Sequence, residues 1–266
     1  MVTKTHFPTA TLLGSNPERR QQTLEELALD MDDATAEKLL AIAESDQDEN
    51  IRADVIVAFG PIIDECGTDY EEDFGFGPEL LPSVSKGVFE SMVRRLRVIY
   101  EDQAQPTIVR RRALEVLVRD PQPWQKDAIR RDFASGERDW RLTAIFSMGY
   151  HHGFDKEILQ LVESGEGDLR FEAVRAAGLR SLKEAGPTLR KLARSATTER
   201  DLRIASILSL PPVDPDCREL LEALKQSSEK DVAAAAEEAL DELAIWEMDP
   251  DPEEEDDESG EEEEEN

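Results

Sequence analysis

One spacing constrains this chain more than anything else in it. An Arg, a small residue three positions on, a small or branched residue six on and then an apolar residue recur in six stretches. They are Ile51-Arg52…Val55…Ala58-Phe59-Gly60, Val109-Arg110…Ala113…Val116-Leu117, Trp140-Arg141…Ala144…Ser147-Met148-Gly149, Leu169-Arg170…Ala173…Ala176-Ala177-Gly178, Leu202-Arg203…Ser206…Ser209-Leu210 and, with Ala in place of Arg, Val232-Ala233…Ala236…Ala239-Leu240. Arg110, Arg141, Arg170, Arg203 and Ala233 stand 31, 29, 33 and 30 positions apart. A fixed period near thirty is the mark of stacked units, none of which buries its apolar face alone. The expected fold is all-α: a solenoid of stacked antiparallel helix pairs. Aromatics make up only 6% of the 266 residues, which suits helices packed through small and aliphatic side chains better than a β-rich core.

Helical spacing begins near Pro17 and continues through Leu24, Leu27, Ala28 and Met31, with Leu39, Leu40, Ile42 and Ala43 on a second helix. A helix over about Val84 to Glu101 carries Val88, Phe89, Met92, Val93, Leu96, Ile99 and Tyr100 on one face. First helices of later pairs are expected at Pro123–Ala134, Asp155–Glu163, Pro187–Ser195 and Pro215–Gln226, three of them opening on a Pro, which a helix start tolerates. The expected organisation is therefore a flexible leader at 1–16, a solenoid at 17–246 with an acidic inserted loop at 64–83, and a disordered acidic tail at 247–266.

Each template position has a packing or capping reason. Ala113, Ala144, Ala173 and Ala236 allow close helix crossings. Gly60, Gly149 and Gly178 fall at helix ends, where a left-handed cap residue is wanted. Asn50, Asp139, Asp168 and Asp201 are expected as N-caps, with the Arg two residues on reaching an Asp of the neighbouring repeat to form a ladder.

These motifs resemble HEAT repeats, specifically the short bacterial type named for phycobilisome lyase. The resemblance rests on Asp168-Leu169-Arg170-Phe171-Glu172-Ala173-Val174-Arg175-Ala176-Ala177-Gly178, on Asp139-Trp140-Arg141-Leu142-Thr143-Ala144-Ile145-Phe146-Ser147-Met148-Gly149 and on Val109-Arg110-Arg111-Arg112-Ala113-Leu114-Glu115, and covers about residues 35–245. It implies an α-solenoid whose second helices line one side, and it says little about activity, since such solenoids mostly bind proteins.

Two enzyme classes use similar repeats. Deoxyhypusine hydroxylase-like proteins hold iron on His-Glu pairs, but none of His6, His151 and His152 is followed by Glu, and adjacent imidazoles point apart. Phycobilin lyase-like proteins share the repeat shape only, with no residue here matched to a tetrapyrrole. Cys66 and Cys217 form no C-x-x-C pattern, and no phosphate-loop, dinucleotide or nucleophile-elbow pattern occurs. Neither a catalytic residue nor a metal or cofactor is expected.

Charge narrows the partner. The net charge is −30, of which residues 249–266 supply thirteen carboxylates and no Lys or Arg, leaving −17 on the rest. Such a surface repels phosphate backbones and anionic lipid, so neither nucleic acid nor membrane is the expected partner. One region runs against the trend: Lys86 to Arg141 holds thirteen basic and nine acidic residues, among them Arg94, Arg95, Arg97, Arg111, Arg112, Arg130 and Arg131. The acidic interruption adds Phe74 and Phe76 as aromatics able to dock a partner or to fold back on the solenoid. With no signal-like N-terminus and no apolar run of membrane-spanning length, the expectation is a cytoplasmic, non-catalytic protein-binding scaffold. The alternatives are an acidic chaperone-like binder of basic proteins through residues 249–266, and a lyase-like enzyme.

Overall fold

The computed structural model describes residues 7–45, 47–69 and 84–248, and it divides into two compact units at His151–His152. The described residues of the first unit form α1 (Thr9–Leu12), α2 (Pro17–Ala28), α3 (Asp33–Ala43), α4 (Glu49–Val57), α5 (Gly60–Asp69), α6 (Lys86–Glu101), α7 (Thr107–Leu117), α8 (Pro123–Ala134) and α9 (Arg138–Met148). The second unit holds α10 (Asp155–Ser164), α11 (Gly167–Leu179), α12 (Gly186–Arg194), α13 (Arg200–Leu208), α14 (Arg218–Lys225) and α15 (Lys230–Met248). No strand occurs among the described residues.

Both units are stacks of antiparallel helix pairs, the all-α solenoid arrangement of a HEAT-like repeat. In the first unit α3 pairs with α4, α6 with α7 and α8 with α9, and the second helices α4, α7 and α9 lie side by side. In the second unit α10 pairs with α11, α12 with α13 and α14 with α15, with α11, α13 and α15 forming the corresponding row. The template's small residues sit where these rows touch: Ala113, Ala144, Ala173 and Ala236 are fully buried. Around them Leu39, Ile56, Phe59, Met92, Leu96 and Leu114 fill the first unit's core, and Ile158, Val174, Leu189, Ile207 and Leu221 the second's. Each fully buried side chain of this size contributes about 1.5–3 kcal/mol. Ser147 and Ser206, buried in the same rows, satisfy their hydroxyls on the carbonyls four residues back, Thr143 and Leu202, at 2.7 Å each.

The template arginines do something other than build a ladder of ion pairs. Their guanidinium Nε groups donate into the C-terminal carbonyls of the preceding helix: Arg52 to Ala43 at 2.8 Å, Arg110 to Tyr100 at 3.0 Å, Arg170 to Val162 at 2.8 Å and Arg203 to Ala193 at 2.9 Å. The last carbonyls of a helix lack an internal partner and carry its negative dipole end, so a cation there serves as cap and countercharge. Arg52 and Arg203 also reach into the next pair, to Gln105 at 2.6 Å and Glu229 at 2.7 Å. Arg141 differs: its guanidinium lies over the Phe133 ring at 5.4 Å.

Several expectations are corrected. The N-caps lie two residues before the template Asp or Asn, at Asp48, Glu137, Glu166 and Glu199, which places Asn50, Asp139, Asp168 and Asp201 in the first turn; the three aspartates there face the positive end of the helix dipole. Gly149 is right-handed, and neither Gly60 nor Gly178 has positive φ; left-handed backbone falls instead on Gly136, Gly153, Gly167 and Ser181. Gly178 is small because a Cβ there would stand 2.9 Å from Ser209 Cβ, a close crossing of α11 on α13. Within the expected leader, α1 forms and Leu12 is fully buried. The expected acidic loop begins instead as helix, because Ile62, Ile63 and Cys66 bury on one face of α5, which packs on α7. Residues 1–6, the remainder of that loop at 70–83 with Phe74 and Phe76, and residues 249–266 lie outside the described residues. No described helix is long and apolar enough to cross a membrane.

Candidate functional site

The amphipathic α6 buries Phe89, Met92, Leu96, Ile99 and Tyr100 and leaves Arg94, Arg97, Val98 and Glu101 outward. Next to it, α8 starts sharply because Pro123 occupies its first position and the Gln125 side-chain oxygen accepts from the Gln122 backbone N–H at 2.9 Å. Gln125 is itself fixed: its amide donates to the Leu117 carbonyl at 2.8 Å, and its oxygen lies 2.7 Å from His151 Nε2. An acceptor oxygen requires that His151 carry its proton on Nε2. This locked start positions Trp124 against Tyr100, ring centroids 5.8 Å apart.

Between the two helices lies a pocket of about 240 Å³ lined by Arg97, Tyr100, Glu101, Trp124, Asp127 and Arg131, with Gln103 and Ala128 at its edges. The Arg97 guanidinium stacks over Trp124 at 4.5 Å, and its Nε donates to Glu101 at 2.8 Å. Tyr100, 2% exposed, donates its hydroxyl to the buried Asp132 carboxylate at 2.8 Å and accepts from Arg131, whose Nε donates to Asp132 at 3.1 Å. Behind Tyr100, Arg110 lies over Trp140 at 4.9 Å. Burial first, then the Asp132 charge, pushes the Tyr100 hydroxyl well above its ordinary range, so it stays protonated and serves as a fixed donor. Held guanidinium groups on an aromatic wall offer directed donors to an anion.

The basic residues expected as one patch divide between helix rows. Arg94, Arg95 and Arg97 are on α6 and Arg130 and Arg131 on α8, whereas Arg111 and Arg112 are on α7. Only Arg97 and Arg131 line the pocket. Arg95 is clamped between Glu37 at 2.7 Å and Glu44 at 2.5 Å, and the Glu44 hydrogen bond foremost keeps it firmly charged. Arg130 pairs with Asp127 at 3.1 Å, and Arg94 is exposed. Arg111 donates to Thr143 at 2.9 Å and pairs with Asp139 at 3.0 Å; the Thr143 hydroxyl donates a hydrogen bond to Glu115 at 2.6 Å, which Arg112 also contacts. These are structural networks with their carboxylates supplied from within. Phe74 and Phe76 lie outside the described residues.

Sequence reasoning missed Tyr100, Trp124, Asp132 and Trp140 as parts of a site. A signal existed: in an aromatic-poor chain, three of the six Trp and Tyr residues fall between positions 100 and 140. A second, open cavity of about 490 Å³ lies near Leu13, Pro17, Asp48 and Ile51, with Arg20 on its wall held by Asp54 at 2.8 Å and the Gly14 carbonyl at 2.9 Å. Among the described residues no group of three or more His, Cys, Asp or Glu is arranged to hold a metal, and His152 contacts Arg180. Burial pushes the Cys217 thiol up to about 11.

No protein-family model matches the chain, and no curated protein matches it in sequence. Solved structures similar to it in fold include the following two. Human deoxyhypusine hydroxylase in complex with glycerol is 16% identical, with 87% of this chain and 81% of that one covered and a TM-score of 0.41. The Escherichia coli protein YibA is 16% identical, with 92% and 86% covered and a TM-score of 0.46.

Proposed function

We propose that this chain is a non-catalytic scaffold that binds another protein, with the α6–α8 pocket as its anchor point. The observation that carries this reading is the arrangement of Arg97, Trp124, Tyr100 and Arg131, in which the donors are stacked and braced before any ligand arrives. Side chains already fixed lose little conformational entropy on binding, and interface hot spots draw disproportionately on Trp, Tyr and Arg. The sequence resemblance to phycobilisome-lyase-type HEAT repeats supports the same reading, since stacked helix pairs serve chiefly as binding surfaces. Affinity capture with the full chain at several salt concentrations tests it. A partner retained by the wild type and released on Trp124→Ala supports the scaffold; failure to retain any partner at low or physiological salt contradicts it.

The thirteen carboxylates among residues 249–266 favour a second reading, capture of basic proteins by that segment. Neutralising those residues then abolishes binding to a basic client such as a histone; unchanged affinity dismisses the idea.

A further inference from the structure

The donors in the α6–α8 pocket are only partly used. Arg97 places one guanidinium face on Trp124 and spends its Nε on Glu101, so neither Nη has a protein acceptor among the described residues. Arg131 spends Nε on Asp132 and one Nη on Tyr100, and its other Nη is likewise unspent. The two carboxylates in the lining are already answered, Glu101 by Arg97 and Asp127 by Arg130. Arg131 is likewise paired with Asp132, so what remains unspent is not net charge but N–H donors held in a fixed direction.

The surroundings agree. On the outward faces of α6 and α8, Lys86, Arg94, Arg97, Arg130 and Arg131 outnumber Glu90, Glu101 and Asp127, all eight exposed, in a chain whose net charge is −30. An anionic ligand is repelled by most of the surface and drawn to this part of it. Size narrows the ligand further: about 240 Å³ is below the span of cavities that hold drug-sized molecules and suits a single side chain or a small acid.

We propose that the pocket takes the carboxylate side chain of an acidic segment of a partner protein, with Arg97 and Arg131 as its two anchors and Trp124 as the wall. The assignment rests on the scaffold reading above. A carboxylate offers two coplanar acceptors to the guanidinium fork, and the stacked Arg97 presents that fork at a fixed angle.

The test uses the full chain labelled with ¹⁵N at its three tryptophans, and a capped ten-residue glutamate peptide as probe, with a glycine–serine peptide of equal length as control. The glutamate peptide moves the Trp124 indole signal and leaves that of Trp246 in place, and the control moves neither. Arg97→Gln with Arg131→Gln weakens binding at least tenfold, whereas Arg200→Gln, which removes an exposed charge from the second unit, changes it less than twofold. The wild-type indole shift needs no variant, so a folding defect in the double variant leaves the test intact. Three results overturn the proposal: peptide binding that leaves Trp124 unmoved, equal binding by the double variant, or binding only when the acidic residues of 249–266 are changed to Asn and Gln, which makes the chain's own C-terminal segment the occupant. A chain that captures a partner protein while its Trp124 signal stays put keeps the scaffold reading and loses this pocket.

Discussion

Gly178→Ala sets two effects of opposite sign against each other, and the α11–α13 crossing decides between them. Gly178 lies inside α11, where Ala stabilises a helix by about 0.5–1 kcal/mol relative to Gly. The added Cβ would stand 2.9 Å from both Cβ and Oγ of Ser209 and 3.3 Å from its Cα. Those atoms are at or next to the backbone of α13, so no flexible side-chain end can swing away, and the helices must separate. Overpacking of this kind costs about 1–3 kcal/mol, leaving a net loss of up to about 2.5 kcal/mol, or a Tm lowered by up to about 10 °C for a chain of this size. Differential scanning calorimetry reads the shift. Ser209→Gly removes the opposing Cβ, so Gly178→Ala introduced into that background is neutral or slightly stabilising, a coupling of at least 0.5 kcal/mol. Gly60→Ala serves as control, because its nearest neighbour is the movable Arg119 side chain at 3.2 Å. A higher Tm for Gly178→Ala in the wild-type background, or strict additivity in the cycle, refutes close packing of the second-helix row.

Further consequences follow from the capping and the pocket. Arg203→Gln leaves the Ala193 carbonyl without its donor and lowers stability by about 1–3 kcal/mol in urea titration, whereas Arg141→Gln, which breaks no carbonyl bond, costs visibly less. Tyr100→Phe deprives the 6%-exposed Asp132 of a donor and costs about 1–3 kcal/mol by thermal melting; a neutral outcome contradicts the buried Tyr100–Asp132 bond. The Asn50 amide hydrogen bonds hold Asp48 below its ordinary value of 3.8, so the unfolded chain takes up the proton first as pH falls. Its contribution is therefore present above about pH 3.8 and lost below, and the gap in urea midpoint between wild type and Asp48→Asn shrinks on acidification through that range. A gap that grows in acid contradicts the cap.

The period of the template was legible because burial is periodic: Ala113 and Ala144 mark the second-helix row of the first unit, and Ala173 and Ala236 that of the second, without help from coordinates. Helix starts at Pro123 and Asp155 were legible for local reasons, a fixed φ in one case and a carboxylate in the first turn in the other. The partner of each template Arg was not. Arg52, Arg170 and Arg203 answer carbonyls eight to ten residues back across a tight turn, and sequence spacing does not distinguish such a carbonyl from a carboxylate in the next pair. The glycines misled for a related reason: smallness at Gly178 serves a helix crossing, while Ser181, at φ 49°, adopts the left-handed conformation expected of a glycine. Of the site, the basic excess on α6 and α8 was visible, but the selection of Arg97 and Arg131 from it was not. That selection depends on Trp124 meeting Tyr100 across two helices and on a buried Asp132 that looks like any surface acid in sequence.

Binding at the α6–α8 surface is tested most directly by photo-crosslinking in living cells. Val98, 61% exposed on α6, accepts a photoreactive residue without disturbing the core, and Leu179, 54% exposed in the second unit, serves as the comparison. The account predicts a discrete partner adduct from position 98 that disappears with Arg97→Gln and Arg131→Gln. Adducts from position 179 alone, or an adduct at 98 indifferent to both arginines, would contradict it.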